Sequence, residues 1–184
     1  MIRQSIADLD TLTVIQPLAR FRLPDRNTII TGGLEAATAA GFFYPILFGD
    51  REAMGADVPN MGTGGTADLG HIIVSFVGPK DMNETVTDAL NQLSALKRIQ
   101  EGLYEARLLE FRYPAEGNLS KAIWLKSANG SIDLIYPFGG HLDAKLRAGR
   151  PFVPDAFFDA ISRLAAERAR LLESWKNAKP GLVD

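Results

Sequence analysis

The sequence predicts an α+β fold: a largely antiparallel sheet with two main amphipathic helices packed on one face. Three observations predict it. Two apolar runs, Lys121 to Ser127 and Ser131 to Phe138, flank Asn129-Gly130. Both turn residues tolerate positive φ, so the segment reads as a β-hairpin closed by a type I′ turn. Leu109, Phe111 and Tyr113 alternate before Pro114, which marks a third strand in Leu103 to Tyr113. Two segments, about 82–100 and 154–176, repeat apolar residues at helical spacing. Strands followed by helices, without regular β-α alternation, give an α+β architecture.

The first half is glycine-rich and less regular. Leu12 to Leu23 is extended, and Pro17 makes it an edge strand or breaks it. Asn27 to Thr31 forms a short strand closed by Gly32-Gly33, and Leu34 to Ala40 a short helix stopped by Gly41. Phe42 to Phe48, with three Phe, one Tyr and Pro45, reads as an edge strand or a buried irregular segment. Nine of the 17 glycines fall between Gly32 and Gly70, so Gly49 to Gly70 reads mostly as loop. His71 to Val77 is a continuous apolar run between Gly70 and Gly78-Pro79, as expected of a strand buried on both faces.

The second half is more explicit. Asp81 and Glu84 fit a capped helix start, and Val86, Leu90, Leu93 and Leu96 share one helical face. Gly102 suits a helix C′ position. In the last helix Pro154 suits the first turn, and Asp155 and Asp159 lie near the positive end of the dipole. Phe158, Ile161, Ala165, Leu172 and Trp175 form its stripe, with Pro180-Gly181 ending it.

At 184 residues, 46% hydrophobic and 23% charged, residues 1–184 read as one domain with material for a core of its own. Without cysteine, disulfides, thiolate metal sites and a cysteine nucleophile are excluded. Residues 1–80 carry 6 basic and 8 acidic groups and residues 81–184 carry 14 of each, so neither half is basic. A nucleic-acid partner is therefore not expected. Met1 to Arg20 has no apolar run, and the most apolar stretch, Leu34 to Phe48, is interrupted by Glu35, Gly41 and Pro45. Neither a signal peptide nor a membrane helix is expected, which makes a cytoplasmic location the plain reading.

Chemistry has few carriers. The loop Gly62 to Gly70, with Gly62, Gly64, Gly65 and Thr66, could cradle a phosphate. It leads into a strand instead of opening a helix, however, so surface loop is the plainer reading. Histidine chemistry must use His71 or His141. His71 sits three residues after Asp68, which puts an imidazole and a carboxylate beside the glycine loop. His141-x-Asp143 has the spacing of a two-histidine, one-carboxylate iron site, but the second histidine and the barrel context are missing, so no metal and no cofactor is expected. Two function classes follow. The preferred one is a non-catalytic protein-interaction or self-association domain, with Phe43 and Tyr44 as candidate contact residues. The alternative is a small-molecule binder or enzyme with its site at Gly62–Gly70 and His71, to which Asp68 and His141 could contribute.

Overall fold

The computed structural model describes residues 12–23, 33–59, 73–76, 84–113, 119–139, 146 and 149–177. Its elements are β1 (Leu12–Val14), β2 (Leu18–Leu23), a 3-10 turn (Gly33–Ala36), β3 (Thr38–Phe48), β4 (Arg51–Pro59), β5 (Ile73–Phe76), α1 (Val86–Ser94), α2 (Lys97–Gln100), β6 (Tyr104–Arg112), β7 (Leu119–Ser127), β8 (Leu134–Gly139) and α3 (Pro154–Asn177). The strands form one mixed sheet in the order β5-β4-β3-β2-β6-β7-β8, with β1 also on β3. Every pairing is antiparallel except β2 with β6, which joins the two halves of the sheet. The α+β class and the mostly antiparallel sheet predicted from sequence are present.

The two main helices lie on opposite faces, which corrects the expectation that both pack on one. Side chains alternate across a strand. Leu109, Phe111, Ala122, Trp124 and Ile135 face a core built with Phe157, Phe158, Ile161 and Leu164 of α3. Leu108, Ile123, Leu125, Leu134, Tyr136 and Phe138 face a second core built with Val86, Ala89 and Leu93 of α1. The physical reason is the continuous apolar sequence of β7 and β8: a strand apolar on both sides needs cover on both sides. α1 lies in the crossover from edge strand β5 to the central β6.

The Asp81-capped start lies outside the described residues. The helix begins at Thr85, whose hydroxyl accepts from the Asp88 backbone N–H at 3.0 Å. Asp88 accepts in return from Thr85, completing a capping box. The predicted helix over 82–100 is therefore two pieces, α1 and α2. Gly102 follows the Glu101 C-cap of α2, the C′ position expected, though without positive φ, and a Cβ there would run into the Tyr104 ring.

Other corrections concern the first half. Phe42–Phe48 belongs to β3, an internal strand flanked by β4 on one side and by β1 and β2 on the other. Pro17 falls in the break between β1 and β2, so both segments can pair with β3. The predicted helix over Leu34–Ala40 is a single 3-10 turn, and Gly41 sits within β3 instead of ending a helix. Much of the supposed loop after Gly49 is strand β4. Gly49, at φ +63°, takes the first central position of the two-residue turn into it, as a type II′ turn requires. β5 covers residues 73–76, and among the described residues it ends the sheet. Asn27–Thr31 lies outside the described residues.

The β7–β8 hairpin forms with a longer loop than the expected type I′ turn. Only Gly130 has positive φ, and Leu125 with Leu134 is the pair nearest the loop. Asp133 replaces the missing ladder bonds by accepting from the Ser127 backbone N–H at 2.9 Å. At the other end, Ile135 and Phe152 exchange two 2.8 Å backbone bonds, which seat the start of α3 beside β8.

Candidate functional site

The residues singled out for chemistry in the sequence, Gly62, Gly64, Gly65, Thr66, Asp68, His71 and His141, lie outside the described residues. Phe43 is 2% exposed and packs in the α1-side core. Tyr44 points to the opposite face and is half-buried. Among the described residues no group of three or more His, Asp or Glu side chains is placed to hold a metal ion. No described helix is long and apolar enough to cross a membrane.

Three features stand out instead. The first is a cleft of about 770 Å³ where the β7–β8 loop meets the 3-10 turn and the first turns of α3. Glu35, Trp124, Lys126, Ser131, Asp133, Asp155, Phe158 and Asp159 help to line it. Asp133 is tied down by three donors: Ser127 N–H, Trp124 Nε1 at 2.9 Å and Lys126 Nζ at 3.2 Å. Burial alone would raise its pKa, but these donors hold it below the usual carboxylate range. Trp124 is fixed from its other side by Phe21, edge-on at 5.2 Å, and by the Arg107 guanidinium at 4.9 Å. The sequence reading treated the hairpin turn as scaffold and missed this lining, since Trp124 and Asp133 signal nothing at a distance of nine residues.

The second feature is a charge network under the centre of the sheet. Arg20 and Glu110, both buried, are joined with Asp57 and Arg22. Arg20 Nη1 lies 2.9 Å from Asp57 and 3.7 Å from Glu110, while Arg22 Nη2 donates to Glu110 at 2.8 Å. Arg20 Nη2 also donates to the Ala40 carbonyl, over the gap left by Gly41. Burial pushes the Asp57 carboxyl up more than Arg20 pulls it down, and the charge of Glu110 adds to the rise. Glu52, which accepts from the backbone N–H and hydroxyl of Thr87 at 2.8 Å each, is likewise raised, mainly by burial.

A pH dependence follows. A raised carboxylate binds its proton in the folded state before the unfolded chain does, so folding gains stability as the pH falls through the raised value. As the pH drops from neutral towards the ordinary values of 4.5 for Glu52 and 3.8 for Asp57, these two groups should stabilise the fold. Asp133 works in the opposite sense: its contribution is lost as the pH falls below 3.8 through its lowered value. Thermal melts of the wild type and of Glu52→Gln/Asp57→Asn across this range check the sign. The double variant should show the smaller gain on acidification, and an equal or larger gain would refute the assignment.

The third feature is an apolar sheet face. Cα partners across a ladder point to the same side. Phe42 is opposite Ala19 and Val58, and Ile46 is opposite Val14 and Met54. Leu12, Val14, Phe42, Tyr44, Ile46, Phe48, Met54, Ala56 and Val58 therefore line one surface of β1, β3 and β4, with Arg51 at its turn end opposite Phe48. It lies on the α3 side of the sheet, because Phe21 and Leu23 of β2 turn the same way into the α3 core. None of the nine is buried and none is charged. Val14 is 59%, Phe42 46% and Phe48 44% exposed. α3 covers the β6–β8 half of this face, and among the described residues no helix covers the β1–β3–β4 half. Comparison of the chain with family models, with curated proteins and with solved structures finds no match in any of the three.

Proposed function

We propose that this chain is a protein-interaction domain whose contact surface is the open apolar face of β1, β3 and β4. The carrying observation is that nine apolar side chains, contributed by three adjacent strands, share one face and none is buried. An antiparallel sheet normally packs one face on a core and turns polar residues to water on the other. Here the reverse face of the same strands carries buried Phe43 and the Asp57 charge network, so the apolar face is the additional one. Contiguous exposed apolar surface of this kind marks association sites, and aromatic side chains are favoured there. The cleft beside Trp124 shares none of the nine residues, so the face does not belong to that concave site. The donors around Asp133 are each paired with it, which supports a structural role for that carboxylate, while in the Arg20–Asp57 ion pair Arg20 Nε and Asp57 Oδ1 are buried without a hydrogen bond.

A photo-crosslinking residue at position 42, introduced in the cells that make the protein, tests this. A discrete adduct is expected there, lost when Ile46→Asp is added, and absent when the crosslinker sits at exposed Glu101. No adduct at position 42, or the same pattern from both positions, would remove the support for this reading.

A further inference from the structure

We infer that the open sheet face of one copy is covered by the free half of α3 from a second copy, reciprocally, about a two-fold axis. This rests on the interaction reading above and names its partner.

α3 is 24 residues long, about 36 Å at 1.5 Å per residue. Its apolar stripe is in two parts. Phe157, Phe158, Ile161, Leu164 and Ala165 are buried against the sheet. Beyond Ala165, every side chain to Trp175 is exposed, yet the stripe continues at helical spacing through Arg168 to Leu171, Leu172 and Trp175. These last three are 60%, 51% and 72% exposed. A helical stretch this short gains little from propensity alone and is stabilised by packing its apolar side.

Among the described residues, half of a sheet face therefore lacks a helix and half of a helix lacks a sheet. In one copy the two do not meet: every described tail side chain is exposed, and on the sheet face Val14, Phe42 and Phe48 are exposed and the other six residues half-buried. A two-fold arrangement lets each copy supply what the other lacks, in an isologous contact made twice. The fold already shows how such a contact packs: α3 residues Phe157 to Leu164 sit on the apolar residues of β6–β8 on this same face. Area points the same way. Three tail residues alone are too few for a stable complex. Phe42, Phe48 and Trp175 keep 46%, 44% and 72% of their surface free. Since a whole aromatic buries about 150–250 Å², they and the partly exposed Val14, Leu171, Leu172 and remaining sheet residues together offer on the order of 800 Å² per copy, the size of a standard stable interface. Charge fits as well. The nine sheet residues carry no charge and three are aromatic, and the one cation beside them, Arg51 opposite Phe48, sits at the turn end of the face. Arg168, the one cation in the tail stripe, could stack on such rings as Arg107 does over Phe21 at 5.0 Å and Trp124 at 4.9 Å.

Sedimentation velocity and disulfide trapping of the purified full-length protein test this. Because the chain has no cysteine, single-cysteine variants are unambiguous. The wild type should sediment as a dimer. Phe42→Asp and Trp175→Ser should each weaken dimerisation at least tenfold while far-UV circular dichroism is unchanged. Trp175→Ser keeps the test valid should Phe42→Asp fold poorly. Under mild oxidation, Phe42→Cys mixed with Leu172→Cys should give a disulfide-linked pair of one copy of each. A monomeric wild type, a dimer indifferent to Trp175→Ser, or trapping of Phe42→Cys with itself in preference to Leu172→Cys would overturn the inference. An adduct at position 42 that contains a different protein would overturn it too, while leaving the interaction reading in place. With no adduct at all, the interaction reading itself would fall.

Discussion

Replacing Arg20 by leucine should destabilise the protein by about 3–5 kcal/mol at neutral pH, the range for removing one partner of a buried ion pair. Arg20 is 8% exposed and holds three groups together: the Asp57 carboxylate, the Glu110 carboxylate and the Ala40 carbonyl. Glu110 keeps Arg22 when Arg20 is lost, but Asp57 loses its ion-pair partner at 2.9 Å. Asp57 is already raised by burial and is held down by Arg20, so in the variant its pKa should rise further. The deficit of Arg20→Leu should therefore shrink as the pH is lowered, because the folded variant takes up a proton that the unfolded chain does not. Adding Asp57→Leu should return part of the loss at pH 7, since an apolar replacement of the whole pair leaves no stranded charge. Urea unfolding of the two variants at pH 7 and pH 5 measures all three effects. A loss below about 1 kcal/mol for Arg20→Leu would show that water or a neighbouring cation satisfies Asp57 in its place.

Phe157→Ala should cost about the same, roughly 3–5 kcal/mol, but for a different reason and without pH dependence. Phe157 is fully buried, and its ring meets Phe111 edge-on at 5.5 Å, Phe158 at 5.3 Å and Phe152 at 6.3 Å. Removing it opens a cavity where α3 sits on the sheet. Amide exchange should then rise along α3 before it rises in β6 or β7. Trp175→Ser, on the same helix, should change the stability of a single copy by less than about 0.5 kcal/mol, because Trp175 is exposed. Melting curves at low protein concentration separate the two. Equal losses for Phe157→Ala and Trp175→Ser would mean that the tail is packed within its own copy.

Much of the second half was legible because its signals are local. The alternation in β6, the apolar runs of β7 and β8, and the stripe and first-turn residues of α3 each fit within one short window. Strands β3 and β4 were harder. Phe42 through Phe48 is apolar at every position, so alternation could not show which side faces a core. Only the packing of α1 decides it: Phe43 turns towards Val86, Ala89 and Leu93, and Phe42 and Tyr44 turn away. The sequence reading names Phe43 and Tyr44 as contact residues, but the fold buries Phe43 and turns Phe42 and Tyr44 to the other face. Gly41 reads as a helix stop and Gly55 as loop for a related reason, since a glycine in a strand looks in sequence like one at a turn or helix end. The charge network was invisible because Arg22 and Glu110 stand 88 residues apart.

The sequence by itself determined the α+β class, the β7–β8 hairpin, strand β6 and the long terminal helix, because each depends on interactions between residues close in the chain. Only the tertiary structure decided that the helices take opposite faces, that β2 and β6 pair in parallel, and that, among the described residues, one apolar half of the sheet carries no helix. Those outcomes depend on which distant strands meet and in what order. The free energy of that choice lies in burial and long-range pairing, which no local pattern records.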